Sequence, residues 1–470
     1  MKKFFEKYDL IKLSGILVLI SAILTWVLPY SYFSGTELVS EEIKRIGITN
    51  FFQFGLLGMY YFTVLITFLF VMGGFYQVLS KRAGYQKLID RISEKLKGRE
   101  IPTVIFLTLI FAILGSMVSE YFPLLAIVPF IITILNRLKV DKISSFVATF
   151  GGLLIGALGS TYSTKVTGAI TEVIKVETGD ILTYQTIIFV VAFIALSIFT
   201  VLRMRKTLGD KKFEEYDKFA IESSTKAKGD KKPVRMWPYA LMMIVLFIVL
   251  ALAYLPWETW QVTLFTDITT WVSELSIGGA PIVSYIFGEI LAFGKWDIHT
   301  IQYIMIVATL FIHWFGKMSF DEVCENYGEG FKKIGSTVLV MLMVYFILEI
   351  TVMFPVIPSI VDWLEKLVDG FNVFIAFIGA FITSIFSVEM QYSISLAGTY
   401  YAAAYTDALP ALAIIFQTAF GFVSFFVPSS AILMLGLSYL DIPYKDWMKF
   451  IWKFLLVILA VIIVILLVIA

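Results

Sequence analysis

Residues 144–172 read SSFVATFGGLLIGALGSTYSTKVTGAITE. The first part is mostly apolar and looks like most of a membrane span. It then stops at five hydroxyl side chains, Ser160, Thr161, Tyr162, Ser163 and Thr164, followed by the ammonium of Lys165. A helix needs about 20 apolar residues to cross a hydrocarbon core of roughly 30 Å, so this run ends early. Non-helical backbone at membrane depth is tolerated only where it is buried in protein or lines a wet cavity. Whether 160–168 is a span's end or a deliberate break decides the fold, and the rest of the chain bears on it.

The chain has 470 residues, 59% hydrophobic and 16% charged. Soluble domains carry about 25% charged residues. Long apolar runs recur from end to end, which predicts an all-α polytopic protein in the lipid bilayer, expected in the cell (plasma) membrane. Formal net charge is +1, so only local charge is informative, and no nucleic-acid partner is expected. Cys324 is the single cysteine, which excludes an intrachain disulfide and a cysteine zinc site. His299 and His313 form no HExxH pattern. No cofactor or metal is expected, and no phosphate-binding GxxxxGK[ST] loop occurs. The N-terminal apolar stretch has no small-residue cleavage site and reads as an uncleaved first span.

Two apolar segments are too long and are interrupted. Residues 101–136 contain GSMVSEYFP, and residues 371–404 contain SVEMQYSIS. Each reads as a re-entrant hairpin that enters and returns on one side. Charge supports the first: residues 81–100 hold seven basic against three acidic side chains, and NRLKVDK (136–142) holds three against one. Both belong on the cytoplasmic side, where basic residues concentrate, only if 101–136 turns back. The loop 317–333, net −1, is an exception to the pattern. The layout predicts about nine spans plus two hairpins, with the N-terminus cytoplasmic and the C-terminus outside.

The polar stretch 205–236 reads as a solvated cytoplasmic linker between a first half (1–204) and a second half (237–470). The first half would hold the hairpin 101–136 and a broken helix, 144–180. The second would hold the hairpin 371–404 and a broken helix, 408–441. The halves resemble one another: LIDRISEKLKG (88–98) matches IVDWLEKLVDG (360–370), and a later offset of 269 sets Glu120 over Glu389, Ser160 over Ser429 and Thr161 over Ser430. Five spans between equivalent elements make the repeat inverted. Inverted repeats with discontinuous helices at the midplane are the layout of secondary transporters. The run at 160–168 is then the unwound point of a broken helix. Its partner is VPSS (427–430), where Pro428 removes a helix donor.

A charge at the bilayer centre costs about 2.5–3.5 kcal/mol on the lenient scale. Glu120 and Glu389, at equivalent hairpin breaks, read either as structural carboxylates or as substrate or proton ligands. Lys165 reads either as a snorkelling interfacial residue or as a fixed charge in the site. The candidate substrate-binding set is Ser119, Glu120, Ser160, Thr161, Ser163, Thr164, Lys165, Ser387, Glu389, Gln391, Ser429 and Ser430. Helix-packing hydrogen bonds are the competing use for several of these, and for Gln417. Trp26, Trp237, Trp257, Trp260 and Trp447 read as interfacial anchors.

AILTWVLP (22–29), SEYFPLLAIVPF (119–130), GGLLIGALG (151–159) and VPSSAILMLGLSYLDIPYKDWMKF (427–450) resemble the anaerobic C4-dicarboxylate carrier family, nearest its YfcC-like branch. The similarity runs nearly the whole chain in order. It implies the ion-transporter superfamily fold, with a dimeric scaffold and an elevator-like transport domain, hence a homodimer. The site departs from the family. Tyr162-Ser163 stands where members have Asn-Pro. Phe386-Ser387-Val388-Glu389-Met390-Gln391 replaces a Pro-Ser-Gly-Ser-Gly-Gln tip.

The expected function is a secondary active transporter or exchanger of small organic solutes, not an enzyme. With Glu120, Glu389 and Lys165 ionised the site carries −1, which suits amino acids, basic ones among them. The alternatives are a C4-dicarboxylate carrier, and a transporter-derived sensor or channel. The coupling ion is expected to be sodium or a proton. Lys165 could stand where sodium stands elsewhere, holding the unwound carbonyls together.

Overall fold

The computed structural model describes residues 9–209, 213–220, 235–276, 280–316 and 318–469. Helix α1 (Asp9–Val27) leads into a ribbon of β1 (Ser31–Ser34) and β2 (Glu37–Ser40), then α2 (Ile48–Tyr61), α3 (Thr63–Ser80) and α4 (Ala83–Leu96). The ribbon pairs eight residues in an otherwise all-helical chain. Gly35 (φ 60°) supplies the left-handed turn that lets Phe33 pair with Leu38.

Helix α5 (Glu100–Met117) ends at a bend, and the chain resumes through a 3-10 turn (Phe122–Ile127) into α6 (Val128–Arg137). Then come α7 (Lys142–Leu158), a break, a π-turn (Thr164–Gly168), α8 (Ala169–Ile174) and α9 (Thr178–Thr207). After the linker follow α10 (Trp237–Ala253), α11 (Ile298–Gly316), α12 (Phe320–Met353), α13 (Ile357–Glu365), α14 (Val373–Ile385), α15 (Met390–Ser395) and α16 (Gly398–Ala404). The chain ends with α17 (Leu409–Val423), α18 (Ala431–Tyr439) and α19 (Tyr444–Ile469).

Among the described residues, eight helices are long and apolar enough to cross a membrane. That set includes α5, which sequence assigns to a hairpin, and leaves out α10 and the interrupted α7–α8, which contain no continuous stretch of 18 residues. Side-chain caps fix the starts of α7 and α12. Asp141 accepts from the Ile143 and Ser144 amides, and Ser319 with Glu322 forms a reciprocal capping box on α12.

Both interrupted segments return to the amphipathic helix that precedes them. At the end of α6, Arg137 Nε lies 3.6 Å from Asp90 Oδ1 on α4. At the end of α16, Tyr401 and Tyr405 each donate to the Glu365 carboxylate on α13, at 2.8 Å.

One layer collects the basic segments. Arg203 meets Asp141 at 2.7 Å, Lys218 meets Asp441 at 3.6 Å, and the Tyr444 amide donates to Asp9 at 2.9 Å. The anomalous acidic segment is not a loop from Phe320 on but the first turns of α12, and Gln77 donates to Glu329 there at 2.8 Å. Lys81 Nζ lies 3.9 Å from the same carboxylate. On the far side, the Ser31 amide donates to Pro355 O at 2.8 Å and Phe33 stacks on Tyr400.

Helices α1, α3, α11 and α12 pack around one another, and α5, α7, α14 and α17 form a second group. The glycine-rich run explains the second group's closeness. A Cβ on Gly156 would lie 2.6 Å from the Gly115 carbonyl carbon, so α7 and α5 touch backbone to backbone.

Two expectations need correction. Trp447 is no interfacial anchor: it is fully buried and donates through Nε1 to Phe425 O at 2.8 Å. The first turn of α19 satisfies a carbonyl that the break after α17 leaves free. The linker is not solvated over residues 213–220 either. Tyr216, Asp217 and Phe219 are buried, and Tyr216 Oη donates to Val140 O at 2.8 Å. Lys218 reaches Ser438 O at 3.1 Å and Thr337 Oγ1 at 3.4 Å. The aromatic residues of FEEYDKF recur every third position, at 213, 216 and 219, and are masked by the surrounding charge, so composition alone reads them as exposed. Residues 221–234 of the linker lie outside the described residues.

Candidate functional site

The break after α7 begins at Gly159 and is held by one acceptor. The amides of Thr161, Tyr162 and Ser163 all donate to Ser116 O, at 2.9, 3.0 and 3.1 Å. Thr161 Oγ1 adds a bond to the same oxygen at 3.2 Å. Ser116 lies in the last turn of α5, where a helix has carbonyls without intrahelical partners. The unwound segment is thus clipped to the bend that carries Glu120.

The carbonyls released on the other side of the break go to Gln417 on α17. Its Nε2 donates to Ser160 O at 2.9 Å and Leu158 O at 3.2 Å. Gln417 Oε1 accepts from Gln185 Nε2 at 2.6 Å, and Ser160 Oγ meets Thr167 Oγ1 at 2.8 Å. The second break mirrors this use of a helix end: Ser429 Oγ donates to Ile385 O, at the end of α14, at 2.6 Å.

The two bends and the first break bring three charges together. Lys165 Nζ lies 3.1 Å from Glu120 Oε2 and 3.5 Å from Glu389 Oε2. Side-chain exposure is 31% for Lys165, 19% for Glu120 and 11% for Glu389, so the cluster is sheltered while the lysine retains access to solvent. Lys165 therefore pairs with carboxylates and does not snorkel. Nor does its ammonium hold the unwound backbone: the Gln417 amide serves the carbonyls of Leu158 and Ser160, and Ser116 O takes the amides of Thr161, Tyr162 and Ser163.

The remaining candidates separate by use. Ser119 fixes the first bend, donating through its amide (2.7 Å) and Oγ (3.2 Å) to Tyr254 O, and its own carbonyl accepts from Thr164 Oγ1 at 3.0 Å. Ser160, Thr161 and Ser429 are occupied by the bonds above. Ser387 Oγ donates to Thr383 O at 2.8 Å within the α14 turn, and Ser430 Oγ caps α18. Gln391 is exposed, one residue inside α15. Ser163 Oγ and Glu120 Oε1 are buried and bond no group among the described residues. Leaving such groups unsatisfied costs about 1–3 kcal/mol or more, so polar capacity beside the triad is held in reserve.

Gln185 and Tyr254 were not anticipated. A lone glutamine in the apolar ILTYQTIIFVV carries a sequence signal, since polar residues inside spans are costly and functional. Tyr254 acts through its backbone carbonyl and carries none.

A family model described as DcuC, C4-dicarboxylate anaerobic carrier, matches residues 9–470. Among the curated proteins no relative matches. The chain aligns with the crystal structure of the Alcanivorax borkumensis YdaH transporter at 12% identity and a TM-score of 0.44, covering 97% of each chain. It also aligns with the structure of Neisseria gonorrhoeae MtrF, described with a class of antimetabolite efflux pumps. There the identity is 12%, the TM-score 0.37, and the coverage 97% of this chain and 94% of that one.

Proposed function

The chain belongs to the C4-dicarboxylate anaerobic carrier family, and from that premise we propose that it is a secondary carrier of short dicarboxylates in which Lys165 receives a substrate carboxylate. It is a multi-pass membrane protein that carries small solutes, and it is not an enzyme. The observation that carries the substrate reading, beside the family, is the Lys165 ammonium held between Glu120 and Glu389 at 3.1 and 3.5 Å.

The charge balance sets the coupling. The three groups sum to −1, and a dicarboxylate would bring the site to −3. Protonating both glutamates restores −1 and frees Lys165 for the substrate. Two protons per dicarboxylate satisfy that balance without sodium, and exchange of one dicarboxylate for another on the protonated site needs no net proton movement. Ser163 Oγ, two residues before the lysine and without a partner among the described residues, is a further donor. The amino-acid reading rests on the same −1: an amine would replace the lysine's charge on a glutamate. The family description favours the dicarboxylate.

Supporting an inverted repeat are the paired return contacts (Arg137 to Asp90, Tyr401 and Tyr405 to Glu365) and the matched clips at Ser116 O and Ile385 O. Gly98 and Gly370, with φ of 82° and 78°, turn the chain after α4 and α13. We read the halves as 1–204 and 237–470. The segments 101–136 and 371–404 are re-entrant hairpins, and α7–α8 and α17–α18 are broken spans, nine spans in all. The basic layer is cytoplasmic, as in a plasma-membrane protein, and the C-terminus is outside. The group of α1, α3, α11 and α12 would be a dimeric scaffold, and the group holding both breaks the part that moves.

Counterflow in proteoliposomes tests the function. Labelled succinate should accumulate against internal unlabelled succinate in sodium-free buffer. Saturable counterflow of an amino acid, with none for succinate, fumarate or malate, would overturn the substrate reading. Flux without counterflow would indicate a channel.

A further inference from the structure

A cavity of about 710 Å³ opens in the basic layer, away from the triad, between the end of α9 and the start of α19. It falls within the 300–1,000 Å³ range of small-molecule sites. Five basic side chains line it: Lys142, Arg203, Lys206, Lys449 and Lys453. Asp141, Glu214 and Asp446 are its acidic lining, leaving a surplus of two positive charges.

Two of the acids are already engaged. Asp141 accepts from Arg203 at 2.7 Å, from Thr207 at 3.0 Å and from two helix-cap amides, and Asp446 pairs with Lys449 at 3.1 Å. Lys206 and Lys453 stand exposed on the two helices that flank the opening.

The floor is apolar: Phe199, Leu202 and Phe450. Leu202 is 50% exposed and continues the outward stripe of Ile194 and Ile198 one and two turns along α9. On α19, Trp452 and Leu456 are likewise exposed. A positively charged cup therefore opens directly onto two apolar, outward-facing helix surfaces. A free anion would use only the cup.

We propose that this cavity binds the headgroup of an anionic phospholipid, with its acyl chains along the outward faces of α9 and α19. Basic pockets between membrane helices hold anionic headgroups in this way. The phosphate would sit among Lys206, Lys449 and Lys453, and the chains would run beside Leu202 and Leu456. The lipid would brace α9 against α19, the helices that follow the two broken spans.

Melting of the detergent-purified full chain tests this, with dioctanoyl phosphatidylglycerol, dioctanoyl phosphatidylcholine and inorganic phosphate as separate titrants. Phosphatidylglycerol should raise the midpoint saturably, while equal phosphatidylcholine and equal phosphate should not. Each lysine near an anionic surface contributes about 1 kcal/mol, so Lys206→Gln with Lys453→Gln should weaken phosphatidylglycerol roughly 30-fold. The control pair Lys87→Gln and Lys97→Gln, elsewhere in the basic layer, should leave it unchanged. Native mass spectrometry of the wild type should retain phosphatidylglycerol over phosphatidylcholine, whatever the variants' stability. Equal shifts from the two lipids, a phosphate response matching phosphatidylglycerol, or equal loss in the control pair would each overturn the proposal.

Discussion

Replacing Lys165 by methionine tests the charge triad most directly. The substitution keeps length and apolar volume and removes the positive charge that pairs with both Glu120 and Glu389. At an effective dielectric of about 20, unit charges 3.1–3.5 Å apart attract by roughly 5 kcal/mol per pair. Desolvation of the ions offsets most of that, and removing one partner of a buried pair costs about 3–5 kcal/mol in practice. The triad is partly exposed, so the lower end, about 3 kcal/mol, is expected. The loss should be non-additive. Adding Glu120→Gln and Glu389→Gln to Lys165→Met removes the stranded charges and should recover all but about 1 kcal/mol, the coupling expected of residues in one network. Melting midpoints of the purified variants give the comparison. A Lys165→Met protein as stable as the wild type, or a triple variant no better than the single one, would refute the reasoning.

In sodium-free liposomes the wild type should exchange substrate, and Lys165→Ala should fail or acquire a sodium requirement; an alanine variant that behaves as wild type in both conditions removes Lys165 from the mechanism. With Cys324 replaced by serine, cysteines introduced at Lys97 and Lys142 should react with a membrane-impermeant reagent from the same side, and reaction from opposite sides would exclude a re-entrant 101–136. Burial in the basic layer raises the Asp217 carboxyl from 3.8 to about 6. The docked segment therefore binds a proton that the released one does not, and docking is strongest below pH 4 and weakens as pH rises to about 6. Asp217→Asn should raise the melting midpoint at pH 7.5, by the equivalent of up to about 3 kcal/mol, and leave it nearly unchanged at pH 4; a gain of equal size at both would contradict this. Gln185→Leu should destabilise by about 1–3 kcal/mol, since Gln417 then loses its partner at the break, and an unchanged midpoint would make that network dispensable.

Much of the architecture is written locally. Long apolar runs, basic segments at their ends and the early stop at Ser160 mark a polytopic chain with a broken span, because transfer into hydrocarbon is decided residue by residue. The two intramembrane glutamates and Lys165 stand out for the same reason: an ionised group at depth is costly enough to be informative alone. That both glutamates lie against Lys165, at 3.1 and 3.5 Å, is a matter of tertiary packing that no single segment specifies.

What satisfies the broken backbone is not written locally. One carbonyl, Ser116 O, takes three amides from a segment 45 residues away in sequence or more, and Gln417 reaches Ser160 O across 257. Hydroxyls that look like ligands, such as Thr161 and Ser429, close such gaps instead. Trp447 and the 213–220 segment change from anchor and tether to buried structure by the same cause. A helix's apolar length shows that it enters the bilayer, but its rotation and depth against its neighbours are fixed by packing across the whole chain. Those two quantities decide whether a polar side chain meets a freed carbonyl, another side chain or the substrate.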